Sequence, residues 1–150
     1  MRHKLILATA LLLLVTPLAG CGKTTPSSTA ISIRGADGVS YDFDVEIADE
    51  FRELEHGLME RQSMPPNHGM IFLFPKNDIV RFWMKNTPLF LDMLFIAEDG
   101  HIAKIHHKAR PYDESLISSG VPVRAVLEIN GGMAKQLGLK EGDKLSPILW

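Results

Sequence analysis

Val39-Ser40-Tyr41-Asp42-Phe43-Asp44-Val45-Glu46-Ile47 alternates apolar and polar side chains without a break. Successive side chains of a strand point to opposite faces, so this period of two predicts a strand with one face buried and one in water. Its surroundings continue the pattern. Residues 31–34 read as a short strand, joined to it by the turn Ala36-Asp37-Gly38. On the other side, Asp49 is placed to cap a short helix in which Phe51, Leu54 and Leu58 recur at helical spacing, with Gly57 near its end. The loop Met64-Pro65-Pro66-Asn67-His68-Gly69 leads to a strand at 70–74, and residues 75–78 turn the chain into another at 79–84. Residues 89–97 are apolar on both faces except for Asp92, as a central strand requires. Asp99-Gly100 marks a hairpin into 102–107, residues 108–120 read as irregular, and 121–129 alternate again. Residues 132–137 form helical turns ended by Gly138, and Glu141-Gly142-Asp143 turns into a final strand at 144–149. Eight or so strands with two short helices predict an α+β, predominantly β domain. A small barrel-like or strongly coiled sheet would best remove the exposed edges.

The chain has 150 residues, a single cysteine and a formal charge of −2, with 45% apolar residues. One cysteine excludes an internal disulfide and a Cys-rich zinc module, and mild acidity argues against nucleic acid. The apolar residues are unevenly spread. Arg2, His3 and Lys4 precede an apolar run at 5–15, too short to span a bilayer as a helix. Taking away the first twenty residues removes Arg2 and Lys4 and moves the charge from −2 to −4. Leu18-Ala19-Gly20-Cys21 resembles the lipobox of bacterial lipoproteins at every position. That resemblance implies cleavage after Gly20 and a diacylglyceryl group on the Cys21 thiol, with a further acyl chain on the new amine. Each buried CH₂ contributes about 0.8 kcal/mol, so two or three chains make a lasting anchor. The expected organisation is a signal peptide at 1–20, a lipidated cysteine with a flexible polar tether at 21–30, and a globular domain at 31–150. The expected location is the bacterial cell envelope, with Gly22 after the cysteine leaning towards an outer membrane where one exists.

Six blocks then occur in order: Gly57-Leu58-Met59, Gly69-Met70-Ile71-Phe72, Phe82-Trp83-Met84-Lys85-Asn86-Thr87, Leu91-Asp92-Met93-Leu94-Phe95-Ile96, Val126-Leu127-Glu128 and Leu137-Gly138-Leu139-Lys140-Glu141-Gly142-Asp143. Together they resemble the DUF192 family. The resemblance implies a compact β-rich domain and no particular activity.

Chemistry-bearing residues gather around Trp83. Lys85, Asn86 and Thr87 offer donors at a strand end. Asp92 sits among apolar neighbours and must find a cation or several hydrogen bonds, with Arg81, Lys85 and Arg124 as the available cations. Arg124 alternates with Val123 and Ala125, which predicts a face shared with Val126 and Glu128. Trp83, Lys85, Asn86, Asp92, Arg124 and Glu128 are therefore expected to line a polar pocket; the competing expectation is an Asp92 ion pair that ties strands together. Asp92 and Glu128 could also serve as the acid and base of a small envelope hydrolase, given a defined separation. No Gly-x-Ser-x-Gly elbow, phosphate loop or dinucleotide fingerprint is present, and the lipid consumes the cysteine. No cofactor is implied. His56, Met59, Met64, His68 and Met70 form a Met/His stretch whose thioethers and imidazoles suit Cu(I), although Met59 and Met70 fit better as core filling. The favoured reading is a membrane-anchored binding or accessory module with an unidentified envelope ligand or protein partner.

Overall fold

The computed structural model describes residues 27–150. The expected signal segment at 1–20, Cys21 and most of the expected tether lie outside the described residues. The alternating stretch forms β2 (Ser40–Ala48), and β1 (Ser28–Arg34) pairs with it antiparallel from Ser28↔Glu46 to Arg34↔Ser40. Residues 28–30, expected to lie in a tether, form the start of β1, because the length of β2 offers them a complete ladder. Helix α1 (Phe51–His56) follows, with Glu50 rather than Asp49 at its N-cap. Glu53 Oε2 accepts the N–H groups of both Asp49 and Glu50 at 3.3 Å, which satisfies donors the helix leaves free.

The chain then returns through β3 (His68–Asp78), which lies parallel to β2. β3 runs straight through Pro75, where a turn was expected. Its ladder to β8 (Val123–Asn130) shifts register between Leu73 and Asp78, so the missing proline N–H falls where no regular ladder bond is needed. The expected strand at 79–84 shrinks to β4 (Arg81–Phe82), paired with β7 (Ile117–Ser118) inside the segment expected to be irregular. β5 (Leu91–Ile96) is buried at all six positions and lies between β8 and β6 (Ile102–Ala109). Helix α2 (Met133–Leu137) ends at Gly138 as expected, and β9 (Lys144–Ser146) stops ahead of Pro147.

The seven-stranded sheet has the order β6-β5-β8-β3-β2-β1-β9 and curls until its two edges meet at one end. Lys144 bridges His101 there, the Ile102 N–H reaches the Asp143 carbonyl at 2.8 Å, and the Leu145 N–H reaches that of Gly100 at 2.9 Å. This is the predominantly β, strongly curled architecture with two short helices that the patterning predicts.

Two separate cores result. Ile33, Val45, Ile71, Leu94, Leu127 and Leu145 fill the inside of the curl, with Ala134 and Leu139 closing it from α2 and its exit. On the outside, Met70, Phe72, Met93, Phe95 and Val126 lie under a second layer formed by Leu58, Met64 and Met84. β3, β5 and β8 are therefore covered on both faces, and alternate residues of one strand enter different cores. Gly69 marks how tightly β3 and β8 approach, since a Cβ there would stand 2.5 Å from the Glu128 carbonyl oxygen. Gly69→Ala is expected to lower unfolding free energy by about 1–3 kcal/mol through forced separation of the strands. Urea denaturation checks this; an unchanged midpoint would show that the strands yield freely.

Candidate functional site

The two buried carboxyls of the central sheet have opposite environments. On β5, Leu91, Met93 and Phe95 enter the outer core while Leu94 and Ile96 enter the inner one, which places Asp92 on the inner face. Asp92 is completely buried. Its Oδ1 accepts the N–H of Lys108 at 2.7 Å and of Gly132 at 2.9 Å, and its Oδ2 accepts the N–H of Ala134 at 2.8 Å. It forms no ion pair among the described residues. Three backbone donors satisfy a carboxylate without a cation, and two of these belong to the start of α2, whose Gly132 has no capping side chain of its own. Asp92 therefore caps α2 from across the fold and fastens it over the open end of the curl. This corrects the expectation that Asp92 lines a polar pocket or pairs with Arg81, Lys85 or Arg124.

Glu128 lies on the other side of the sheet. Its strand neighbour Val126 is in the outer core while Leu127 and Ile129 are in the inner one, and Glu128 stands opposite Met70 on β3 and Met93 on β5. The sheet thus separates the two carboxyls expected to form an acid–base pair. Glu128 is only 4% exposed, and burial pushes its carboxyl up to about 8, with no hydrogen bond or ion pair from the described residues to oppose it. Among the described residues, no fully sealed side-chain nitrogen or oxygen lacks a hydrogen-bond partner. The Glu128 oxygens, which have none, therefore open on to the space in front of them.

That space is a pocket of about 130 Å³ between α1, β3 and the β4 segment. Phe72, Phe74, Phe82 and Trp83 line it together with Leu58 and Glu128. The Phe82 ring stands edge-on to Phe72 at a centroid distance of 5.1 Å and to Phe74 at 6.4 Å. Glu55 and His56 of α1 and Arg81 of β4 are exposed residues at its rim. The wall nearest α1 depends on Gly57, whose φ of +49° strains any side chain and whose Cβ would meet the Phe72 ring at 3.0 Å.

Of the six expected pocket residues, the structure brings Trp83 and Glu128 together. Trp83 is 42% exposed, and Lys85 lies against its ring with Nζ 5.1 Å from the centroid. Asn86 has a φ of +52° and lines a different, shallow depression with Pro88 and Tyr112. Its place is conformational: Asn tolerates the left-handed region that the turn closing Thr87 N–H on Met84 O requires. Arg124 is half-buried and has no ion pair among the described residues.

The Met/His stretch is divided. Met64 and Met70 are buried in the outer core, while His56 and Met59 line the pocket and His68 is half-buried at the start of β3. Among the described residues there is no group of three or more His, Cys, Asp or Glu side chains placed to hold a metal ion. The sequence reading missed Leu58, Phe72, Phe74 and Phe82 as pocket residues. The signal was present, since Met70, Phe72 and Phe74 alternate onto the face that also carries Glu128.

The DUF192 family model, described as an uncharacterized ACR, matches residues 32–147. Two solved structures are similar along nearly their whole length. One, from Sinorhizobium meliloti and described as a candidate transcription regulator, is 45% identical with a TM-score of 0.82, covering 83% of this chain and 97% of its own. The other, a protein of unknown function from Novosphingobium aromaticivorans, is 38% identical with a TM-score of 0.78, covering 89% and 91%. No match occurs among curated proteins.

The two carboxyls predict different mutational behaviour. Asp92→Asn turns a donor towards a backbone N–H that needs an acceptor, and is expected to cost about 2–4 kcal/mol in urea denaturation at neutral pH; wild-type stability would contradict its capping role. For Glu128, the unfolded chain releases the proton near 4.5 while the folded chain holds it to about 8. Its contribution therefore falls by about 1.4 kcal/mol per pH unit as pH rises through that window. Glu128→Gln should remove this slope, gaining on the wild type as pH rises and levelling off above about 8; parallel stability–pH curves would contradict it.

Proposed function

The chain belongs to the DUF192 family, and from that premise we propose that it is a cell-envelope lipoprotein whose domain binds a small ligand in the pocket floored by Glu128. The observation that carries the binding reading is the Glu128 carboxyl itself. A buried carboxyl without an internal partner is costly, and natural folds retain such groups mainly where a ligand or a reaction uses them. Aromatic and aliphatic walls around a buried carboxyl, with Glu55, His56 and Arg81 at the rim, fit a small-ligand site in which a few placed polar groups orient the ligand.

Binding is favoured over hydrolysis because the second buried carboxyl, Asp92, has both oxygens saturated on the far face of the sheet. A raised carboxyl alone supplies a proton donor but no base or nucleophile to act with it. The charge of −2 gives no support to a nucleic-acid partner.

Anchoring rests on Leu18-Ala19-Gly20-Cys21 and on the basic and apolar segment ahead of it. Cys21 carries the lipid, the residues up to Ser27 form the tether, and the domain stands close to the membrane that holds it. The tether spans at most about 3.3–3.6 Å per residue.

Two measurements test the proposal. In cell fractionation, the wild-type chain is expected in the membrane pellet and Cys21→Ala outside it; membrane retention of the variant would contradict lipid anchoring. For the pocket, a fragment screen by NMR on the full chain in detergent should yield small, largely apolar compounds that shift the Trp83 indole resonance, with the effect lost in the pocket-filling variant Leu54→Trp. Hits that leave Trp83 unmoved, or that survive Leu54→Trp, would contradict this placement.

A further inference from the structure

The walls and floor of the Glu128 pocket define a ligand class, an inference that rests on the pocket being a binding site. We propose that the pocket receives a small organic ammonium ion, with its charge on the Glu128 carboxylate and its carbon substituents against Phe72, Phe74, Phe82 and Trp83. Three observations lead there.

The first is what the floor lacks. Glu128 receives no hydrogen bond and no ion pair from the described residues, although Arg81 lines the same pocket and Arg124 lies on the same strand. A site built to keep its carboxylate for its own stability would turn one of these arginines inward. Here the complementary charge is left for the ligand.

The second is the walls. Aromatic faces carry the negative side of a ring quadrupole and attract cations, most strongly when water is excluded. Four aromatic residues around one carboxyl supply both the electrostatic complement and the apolar surface that an alkylated ammonium needs. Phe82, held edge-on to Phe72 and Phe74, fixes the rings without the ligand, so little ordering is lost on binding.

The third is size. The pocket, about 130 Å³, approaches a cavity of roughly 150 Å³ that admits benzene. It holds a head group with a few carbons, and any longer chain would extend out through the mouth.

Binding of such a cation exchanges one proton. The carboxyl oxygen releases its proton to water as the ammonium arrives, since the ion pair needs the carboxylate. The affinity should therefore rise about tenfold per pH unit up to about 8 and level off above it. The other charged and titratable groups facing the pocket are Glu55 and His56 on α1 and Arg81 on β4; all three are exposed at the rim and present in every variant compared. A neutral ligand that accepts a hydrogen bond from protonated Glu128 would show the opposite sign and weaken above about 8.

The test uses the full chain in detergent and two probes of nearly equal shape, choline and its uncharged isostere 3,3-dimethylbutan-1-ol, titrated by calorimetry at pH 6, 7, 8 and 9. Choline is quaternary and does not titrate, so its pH dependence belongs to the protein. The expected result is choline binding that strengthens about tenfold per unit from pH 6 to 8, and at least tenfold weaker binding of the alcohol at pH 9. In Glu128→Gln, choline binding should be lost while the alcohol still binds, the latter showing that the pocket has folded. If the alcohol binds as well as choline, or its affinity falls above pH 8 while choline does not bind, the ammonium inference is overturned and the pocket reading stands. If neither probe binds, the ammonium inference is overturned, and the pocket reading is then decided by the fragment screen.

Discussion

Strands β3, β5 and β8 are covered on both faces, and the rest of the molecule follows from that constraint. A sheet with one wet face can carry polar residues at alternate positions without consequence. A sheet buried on both faces cannot, and each polar side chain on it must be saturated from inside the protein or open on to a cavity. The two carboxyls here take the two available solutions. Asp92 is saturated by three backbone N–H groups and so fastens α2 over the inner core. Glu128, on the opposite face, is left to the outer layer, which surrounds it with rings and methionines and keeps an opening in front of it.

The outer layer explains why a domain of this size has a pocket at all. A closed curl of seven strands would need only its inner core. The additional cover from α1, Leu58, Met64 and Met84 is assembled from short, irregular pieces held by turns and by the Glu46–Arg61 ion pair. Pieces joined in this way do not tile a sheet without gaps, and the gap falls between α1 and β4, directly above Glu128.

Much of the fold was legible in the sequence because period two is a local property. The alternation from Val39 to Ile47, the two-faced apolar run around Asp92 and the helix stop at Gly138 all reappear as elements close to their expected bounds. The errors arose where pairing overrides local chemistry. Pro75 reads as a turn, yet it lies within β3 because the register shift to β8 relieves it of a ladder bond. Asn86 reads as a donor, yet its positive φ makes it a turn residue. Of the candidate site, only Trp83 and Glu128 were legible in the sequence. Asp92 was marked by its apolar neighbours and Glu128 by the face it shares with Val126 and Arg124, but which side of the sheet each faces depends on strand order and parity, and those come from contacts distant in sequence. The phenylalanine walls were hidden for the same reason, since Phe72, Phe74 and Phe82 are brought beside Trp83 only by the outer layer.

The central claim is that Glu128 has no partner among the described residues and retains its proton at neutral pH for a ligand to displace. The most direct measurement is the side-chain carboxyl carbon of Glu128, followed by ¹³C NMR through a pH titration of the ligand-free chain. A titration midpoint at about 8 is the predicted result. A midpoint in the ordinary glutamate range near about 4.3 would mean that water or an unrecognised donor already satisfies the carboxyl, and would contradict the account.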